Sequence, residues 1–306
     1  KPFWFPCMHA KVVLNATGIV FVDGIVPSED IAGIEDAGDN VLHVHAYPHR
    51  EPGCSGSRSR HYVLCTLDFA NAPQAKGQWL HKYKEMWGRH RLQHVLVVLN
   101  PFSGAKKGRQ IWKNIVEPLF QQAGILVEMI ETTHNGHAAE IVHTAVLSQL
   151  DGIIAMGGDG ILSEVMQGLL SRTDADASLV PSFPVGVIPS GTGNGFAASN
   201  LFAAGEKCAP LPAALVIVRS RLQRTDIGFV MQNNRVLYRC MLSWAWGLIS
   251  DTDIEADDMR FVGPIRTTIK GIVNILRRRI YRGRIHLLLH SSDYMHGHPP
   301  MGGHVT

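Results

Sequence analysis

The sequence has few features of a disulfide-stabilised, metal-ribbon or membrane-spanning protein. Its five cysteines are odd in number and share no CxxC spacing, so we expect neither a disulfide framework nor a zinc ribbon, and a reducing compartment fits best. No apolar run approaches the roughly 18–20 residues that cross a bilayer. The formal net charge is only +3, which is too small to predict a nucleic-acid partner. Repeats and low-complexity tracts are absent, apart from the His-, Gly- and Pro-rich residues 291–306.

The composition is that of an ordinary globular protein. Of the 306 residues, 45% are hydrophobic and 18% are charged, which excludes disordered and collagen-like chains. This length suggests about two domains, each large enough to bury its own core.

The first 90 residues predict a small β-rich module. Val12–Leu14 and Ile19–Val22 flank Asn15–Gly18, which is typical of a hairpin. The module is expected to continue with strands over 41–47 and 62–67 and to close with a helix over 76–87. These residues carry no motif that indicates a chemical role.

Between residues 91 and 222, apolar strands alternate with helices. Val95–Leu99 is a continuous apolar run, which is typical of a strand that is buried on both faces. The alternation predicts an α/β nucleotide-binding domain with a doubly wound, mostly parallel sheet. The strands are expected at 95–99, 125–130, 153–156 and 184–188, and the helices at 108–123, 137–150 and 161–170.

After residue 222 the pattern becomes antiparallel. The runs 226–231 and 236–243 bracket Gln232–Arg235, which predicts a hairpin. We therefore expect three domains, namely a β-rich module over 1–90, the nucleotide-binding domain over 91–222 and an antiparallel β domain over 223–306.

A glycine-rich turn follows the apolar strand that ends at Met156. In Gly157-Gly158-Asp159-Gly160 the glycines let the backbone approach a ligand, and the first amides of the following helix suit a phosphate. A carboxylate among such amides suits a general base that takes a proton from an attacking hydroxyl. The alternative is a tight turn in which Asp159 only caps its helix.

Two further loops of small residues also follow strands and precede helices. They are Asn100–Gly108 and Pro189–Gly195. Ligands of doubly wound sheets bind at the carboxyl ends of the strands, so all three loops are expected to meet at one edge. None of them matches the dinucleotide GxGxxG or the Walker GxxxxGK[ST] pattern, which disfavours a dehydrogenase and a P-loop ATPase.

The three loops together resemble a known family. The sequences NPFSG, GGDG and PSGTGN resemble the diacylglycerol-kinase-type catalytic domain of lipid kinases. The segment Ser243–Glu255 resembles the sphingosine kinase pattern SLAWGxxxDxDxES, and Arg260, Gly263–Arg266 and Tyr281–Arg284 follow in the order of that family. The resemblance extends over residues 93–288.

This resemblance implies an ATP-dependent kinase that phosphorylates the primary hydroxyl of sphingosine or a related sphingoid base, with Mg²⁺ as a further cofactor. It implies that Asp159 is the general base, and that Asp253 binds the protonated amine of the lipid head group, assisted by Ser243. No metal ligand is assigned. The residues that it places around ATP are Asn100, Pro101, Phe102, Thr132, Thr133, His134, Asn135, Gly136, Glu164, Gly191, Thr192, Gly193, Arg260 and Arg266. The residues that it places around the substrate are Gly157, Gly158, Asp159, Gly160, Ser243 and Asp253.

The substrate remains open at this stage. Diacylglycerol or ceramide kinase is the alternative within lipid kinases, while a GGDG-containing NAD kinase is disfavoured by the hydrophobic run Trp244–Ile249. Residues after Leu289 do not resemble the family's lipid-binding β domain, which we therefore expect to be incomplete. A non-catalytic fragment that binds ATP is the alternative outside the enzymes.

A basic amphipathic segment over 265–280 suggests a partner. Its apolar residues recur at helical spacing beside Lys270 and Arg277-Arg278-Arg279. Such a helix can lie on an anionic membrane, occupy a calmodulin-type groove, or pack against the protein with a solvated basic side. We expect a cytoplasmic protein that associates peripherally with membranes.

Overall fold

The computed structural model describes residues 13–15, 17–21, 24–50, 59–88, 92–256, 258–259, 265–277 and 279–284. The chain forms two compact units, Lys1–Ser243 and Trp244–Thr306. The three-domain division drawn from the sequence stays a prediction.

The first unit begins with a β-rich module, as expected. Asn15 accepts hydrogen bonds from the N–H groups of Thr17 and Gly18 through Oδ1, and this turn closes the predicted hairpin. The strand over Ile31–Gly38 was not predicted, because its alternation is broken by small and acidic residues. The module contains two antiparallel sheets and a helix: β1 Val13–Asn15, β2 Gly18–Phe21 and β3 Gly24–Pro27; β4 Ile31–Gly38, β5 Val41–Ala46 and β6 Val63–Asp68; and α1 Pro73–Tyr83.

A four-stranded sheet follows, and all its strand pairs are parallel. Its strands are β7 His94–Leu99, β8 Leu126–Glu131, β9 Gly152–Gly157 and β10 Val185–Pro189, in the order β10-β9-β7-β8. Alternate residues of β7 enter two separate apolar cores. Val95, Val97 and Leu99 belong to one core, and Leu96 and Val98 to the other. The sheet is therefore covered on both faces, which confirms the predicted parallel sheet.

Helices cover the two faces. The helices are α2 Gly108–Ile111, α3 Glu117–Gln122, α4 His137–Thr144, α5 Asp159–Leu170, α6 Gly195–Ala203 and α7 Pro210–Val218, with a π-helical turn over Trp112–Val116 between the first two. The apolar residues of α3 and α7, and Leu201 of α6, join the core of Val95. Those of α4 and α5 join the core of Leu96.

Helix α4 ends at Thr144, six residues before the predicted end at Leu150. Buried Arg172 donates hydrogen bonds through Nη1 to the carbonyl oxygens of Val142 and Ala145. Asp176 accepts one from the Leu147 N–H. These side chains replace the helical hydrogen bonds of the next turn, and their distance along the sequence hides them from a periodicity argument.

The β-rich module is fixed to the parallel-sheet domain by a buried ion cluster. Arg60 donates hydrogen bonds to Asp30 at 2.6 Å and to both carboxylate oxygens of Glu206. Arg219 lies 3.7 Å from Asp30, and burial lowers the pKa of Arg219 to about 10. Gly33 packs on the backbone of α3, where a Cβ would lie 1.8 Å from the Gln122 carbonyl oxygen. A closely fitted contact of this kind tolerates no side chain.

The predicted hairpin ends the first unit. Strands β11 Gly228–Gln232 and β12 Arg235–Cys240 pair antiparallel. Asn233 and Asn234 form the two-residue loop, with φ of 50° and 60°. Asparagine tolerates this left-handed backbone better than most residues, which favours a tight hairpin turn.

In the part of the second unit that the structure describes, the chain forms the helices α8 Leu248–Ala256 and α9 Arg266–Arg277. Buried Asn274 donates a hydrogen bond to Thr252 and so joins them. Helix α9 confirms the predicted helix, and two of its apolar residues, Ile272 and Leu276, are 55% and 75% exposed. Helix α8 was not predicted. Among the described residues, no helix combines the length and the apolar character needed to cross a membrane.

Candidate active site

The candidate site lies at the carboxyl edge of the parallel sheet. The chain passes from β7 to β8 on one side and then returns to β9 and β10 on the other. Such a change of direction opens a crevice between the loops that follow the two central strands, and ligands of open α/β sheets bind there. The loops after β7 and β9, at Asn100 and Gly158, flank this crevice.

The loop after β7 begins with a tight turn. The Asn100 N–H donates a hydrogen bond to the Met156 carbonyl oxygen at the end of β9. The Asn100 side chain accepts one from the Phe102 N–H at 2.9 Å through Oδ1. Pro101 is buried, whereas the Phe102 ring is 63% exposed. Asn100 therefore shapes the loop, and Phe102 offers an aromatic surface at the sheet edge.

The carboxylate of Asp159 is held by another helix. Asp159 is the first residue of α5, and Gly158 is the N-cap. Its Oδ2 accepts a hydrogen bond from the Gly195 N–H at 2.7 Å, and its Oδ1 accepts one from the Phe196 N–H at 3.0 Å. Asp159 thus caps α6. The alternative interpretation of the sequence, in which Asp159 only caps its own helix, is wrong. Each oxygen of an ionised carboxylate can accept a further hydrogen bond, so capping leaves room for a substrate hydroxyl.

The loop after β10 is closed by Asn194. The Asn194 side chain accepts a hydrogen bond from the Gly191 N–H at 3.2 Å and donates one to the Gly191 carbonyl oxygen at 2.8 Å. Thr192 and Gly193, between these bonds, are exposed. Asn194 belongs to the PSGTGN motif, but the sequence indicates no role for it, because a reciprocal bond of this kind depends on the folded loop.

The three loops meet through their glycines. A Cβ on Gly191 would lie 2.5 Å from the Gly158 Cα and 2.8 Å from the Ser103 hydroxyl oxygen. A Cβ on Gly104, whose φ is +54°, would lie 2.8 Å from the Ser190 carbonyl oxygen. Real Cβ atoms do not approach so closely, so the contact of the loops requires glycine here. The predicted convergence at one edge is confirmed.

The segment Thr132–Gly136 reaches the same edge after β8. The Thr132 N–H donates to the Leu99 carbonyl oxygen, at the end of β7. Thr132 is buried, whereas Thr133, His134 and Asn135 are exposed. Gly136 has a φ of +86° and is the N-cap of α4.

Glu164 lies beside that segment and supports it. Its Oε2 accepts a hydrogen bond from the Ala138 N–H, in the first turn of α4, at 3.2 Å. The N-termini of α4 and α6 thus each meet a carboxylate of α5. Beside Gly160, in the first turn of α5, no atom lies within 4 Å of the position of a Cβ. This turn offers amides next to open space, and that arrangement suits an anion.

Two ionisable groups near the site have shifted pKa values. Burial, and then the negative charge of Asp159, raises the pKa of the Cys208 thiol, which places Cys208 in the electrostatic field of the candidate base. Hydrogen bonding to Arg109 lowers the pKa of Glu131 at the end of β8. The sequence indicated neither residue, since neither belongs to a glycine loop.

Of the remaining site residues, the sequence predicts Ser243 and Asp253 for the lipid head group and Arg260 and Arg266 for the phosphates. Ser243, at the end of the first unit, is exposed. In the second unit, Asp253 is exposed on α8, and Arg266 begins α9. Arg260 lies outside the described residues. Neighbouring Asp251 accepts hydrogen bonds from Arg279 and Tyr281, both at 2.5 Å; the Tyr281 bond first, and then Arg279, lowers the Asp251 pKa.

The loops leave space for the phosphates of ATP at the sheet edge, because their residues are small and Thr192 and Gly193 are exposed. A metal site is less evident. Among the described residues, no group of three His, Cys, Asp or Glu side chains could hold a metal ion. Magnesium in kinases is bound by one or two carboxylates together with the substrate phosphates and water, and not by a dedicated cage of protein ligands. The Mg²⁺ requirement stays a prediction.

Comparison with known proteins extends the sequence resemblance. The model of the diacylglycerol kinase catalytic domain matches residues 94–230. The chain is 33% identical to sphingosine kinase 2 of Arabidopsis thaliana over 297 residues, which cover 88% of this chain and 60% of that protein. It is 37% identical to sphingosine kinase 1 of the same plant over 222 residues, covering 71% of this chain and 45% of that one. Human ceramide kinase is 31% identical over 222 residues, covering 69% and 41%. The chain thus spans about half the length of these curated relatives.

Proposed function

We propose that this chain, whose residues 94–230 match the model of the diacylglycerol kinase catalytic domain, is an ATP-dependent lipid kinase. Its substrate is sphingosine or a related sphingoid long-chain base. The γ-phosphoryl group passes to the primary hydroxyl of the base and yields the 1-phosphate and ADP. The observation that carries this proposal is the Asp159 carboxylate, which is held by α6 among three glycine loops.

In this proposal the lipid's primary hydroxyl oxygen attacks the γ-phosphorus. A new oxygen–phosphorus bond forms as the bond to the β,γ-bridging oxygen breaks, and ADP leaves with that bonding pair. The hydroxyl proton passes to Asp159, whose two oxygens are oriented by the Gly195 and Phe196 amides. General-base assistance of this kind contributes about 10²–10⁴-fold to a rate.

Positioning accounts for most of the remaining catalysis in phosphoryl transfer. We assign the phosphates to the amides around Thr192, Gly193 and Gly160. The nucleotide's other contacts are assigned to the loop Asn100–Phe102 and the segment Thr132–Gly136. Arg260 and Arg266 are proposed to meet the phosphates, and bound Mg²⁺ would neutralise their charge.

The sphingoid base is proposed over diacylglycerol or ceramide because of Asp253. A carboxylate suits a protonated amine and a neighbouring hydroxyl, whereas diacylglycerol and ceramide carry no charged amine. The similarity to two sphingosine kinases supports this choice. The similarity to a ceramide kinase keeps that activity as the second candidate.

The substrate assignment is tested by offering wild-type protein sphingosine, ceramide and diacylglycerol in the same assay. We expect transfer to sphingosine, and we expect Asp253→Asn to reduce it while leaving ATP binding intact. Asp226→Asn, in an exposed loop of the first unit, is the matched control. Preferred transfer to ceramide or diacylglycerol, or normal sphingosine kinase activity in Asp253→Asn, contradicts the assignment. ATP binding without transfer to any lipid supports a non-catalytic ATP-binding role.

We also propose that α9 contacts the cytoplasmic membrane surface, where the substrate resides. Its exposed Ile272 and Leu276 provide apolar area, and Arg277 is among its basic residues. Wild-type protein should sediment with vesicles containing phosphatidylserine, and Ile272→Ser with Leu276→Ser should reduce this fraction. Unchanged sedimentation contradicts the assignment, and calcium-dependent binding of calmodulin instead supports a calmodulin-type partner.

A further inference from the structure

One face of α5 contacts the hairpin of β11 and β12. The Ser163 hydroxyl forms a hydrogen bond with the Tyr238 hydroxyl. One turn later, Gln167 bonds to the backbone of Arg239 in both directions. Its Nε2 donates to the Arg239 carbonyl oxygen at 2.6 Å, and its Oε1 accepts from the Arg239 N–H at 3.3 Å. Residues four apart lie on the same side of a helix, so Ser163 and Gln167 attach to neighbouring residues of one strand.

Gln167 takes the place of a neighbouring strand. The N–H and the carbonyl of Arg239 face away from β11 and would otherwise be edge groups without a partner in the ladder. A carboxamide has a donor and an acceptor side by side and can satisfy both. Glutamate, which is an acceptor only, cannot replace it.

The chain that leaves β12 returns to the candidate base. Strand β12 ends at Cys240, and the side chain of Leu242 packs beside Gly195. A Cβ on Gly195 would lie 3.3 Å from Leu242 Cδ2 and 3.5 Å from Asp159 Oδ2. The apolar Leu242 side chain and the Asp159 carboxylate therefore flank the same residue. Ser243, predicted to contact the lipid head group, follows directly.

Helix α5 thus carries both ends of this arrangement. Asp159 is its first residue, and Gln167 lies eight residues later, about 12 Å along the helix axis. A helix of this length is stiff, so the attachment of β12 at Gln167 fixes where Leu242 and Ser243 lie relative to Asp159.

We propose that Gln167 is a positioning residue for the lipid substrate. By holding β12, it sets the place at which the primary hydroxyl meets Asp159, although it touches neither the nucleotide nor the lipid. This inference rests on the proposed lipid kinase function. The proposed role of Gln167 differs from that of the glycine loops, because the contacts among those loops do not involve Gln167.

Two variants test the role of Gln167. Gln167→Glu keeps the size and the acceptor and loses the donor to the Arg239 carbonyl, while Gln167→Ala removes both bonds. Loss of one or two hydrogen bonds predicts a KM for sphingosine about 5–10-fold higher, with the KM for ATP changed by less than about twofold. Gln121→Glu, on the exposed side of α3, is the matched control and should change neither constant.

A second measurement does not require activity. In Gln167→Ala, amide hydrogen exchange over residues 239–243 should rise about 5–10-fold, since both hydrogen bonds that hold this segment are lost. The rise should be smaller in Gln167→Glu, which keeps the acceptor of the Arg239 N–H. Exchange in β9 and β10 should stay as in the wild type. This result separates a local release of β12 from general unfolding.

The two measurements give distinct outcomes. If the wild-type protein phosphorylates no lipid, the proposed function fails, and exchange alone decides whether Gln167 holds β12. Unchanged exchange in the variants overturns the inference whatever the activity. Raised exchange with an unchanged KM for sphingosine in an active protein also overturns it, as does an equal rise in both KM values.

Discussion

Asp159 and Gly195 are joined by a 2.7 Å hydrogen bond across 36 residues of sequence. The bond connects the carboxylate at the start of α5 to the first N–H of α6, and the Phe196 N–H adds a second bond. The proposed base is therefore oriented by a helix that follows a different strand. Positioning of this kind is required of a general base, and it also contributes to stability as a helix cap.

These two roles of Asp159 can be separated by substitution. Asn keeps one acceptor oxygen for these two N–H groups and sets its NH2 against the other, so Asp159→Asn should lower the unfolding free energy, but by less than Asp159→Ala. Asp159→Ala should lose about 1 kcal/mol of unfolding free energy, because α6 loses its cap. Urea denaturation measures the unfolding free energy of both variants. Equal stability of Asp159→Ala and the wild type would argue against the capping contact.

The glycine contacts between loops predict strong effects of a single methyl group. Gly191→Ala would place Cβ 2.5 Å from the Gly158 backbone, so the loops must move apart. Overpacking of this kind costs about 1–3 kcal/mol of unfolding free energy, and we expect the affinity for ATP to fall by about tenfold or more. Calorimetric titration with ATP measures this change.

Gly77→Ala provides the control for Gly191→Ala. Gly77 lies in α1, where nothing is within 4 Å of the Cβ position. Alanine there should stabilise the protein by about 0.5–1 kcal/mol and leave ATP binding unchanged. Normal ATP affinity in Gly191→Ala contradicts the assignment of this loop to the phosphates.

The parallel sheet and its loops could be predicted because their signals are local. The apolar run in Val95–Leu99 and the glycines after Met156 and Pro189 depend on few distant contacts. The early end of α4 could not be predicted, since Arg172 and Asp176 cause it from about 30 residues away. The capping of α6 by Asp159 is likewise a tertiary contact.

The structure of the substrate side of the site was harder to predict from the sequence. Helix α8 occupies part of the segment that carries the DxD residues, and its apolar residues lack a clear helical period. Gln167 stands at an ordinary helical position, and its bond to Arg239 depends on where the hairpin packs. A lone polar residue in a helix gives no signal of such a partner.

The buried ion cluster predicts a large loss of stability when one partner is removed. Arg60→Met leaves the buried carboxylates of Asp30 and Glu206 with more distant partners, namely Arg219 at 3.7 Å and 3.9 Å and His49 at 3.8 Å from Glu206. Breaking a buried pair in this way costs about 3–5 kcal/mol of unfolding free energy. Denaturation in urea should reveal this loss. Arg109→Met, which removes an exposed ion pair with Glu131, should change stability little. A similar loss in both variants would show that burial does not govern these pairs.

His45 predicts a pH dependence of the β-rich module. Its imidazole bonds to Tyr62 and Glu35, and burial lowers its pKa below the ordinary 6.5, although Glu35 opposes that shift. Because the unfolded chain then binds the proton more readily, the unfolding free energy falls as pH drops through 6.5 towards the folded pKa.

His45→Gln should remove this contribution. Urea denaturation about one pH unit above and below 6.5 should give a smaller difference in unfolding free energy for His45→Gln than for the wild type. His43→Gln, on the same strand, is the control for losing an imidazole. The same pH dependence in His45→Gln and the wild type contradicts the role of His45.

Transfer of labelled γ-phosphate from ATP to sphingosine, compared between the wild type and Asp159→Asn, tests the central claim most directly. We predict transfer by the wild type and a loss of about 10²–10⁴-fold in the variant, with ATP binding retained and the variant still folded. Transfer at the wild-type rate by Asp159→Asn would contradict the assignment of the base. No transfer by a folded wild-type chain that binds ATP would contradict the proposed lipid kinase.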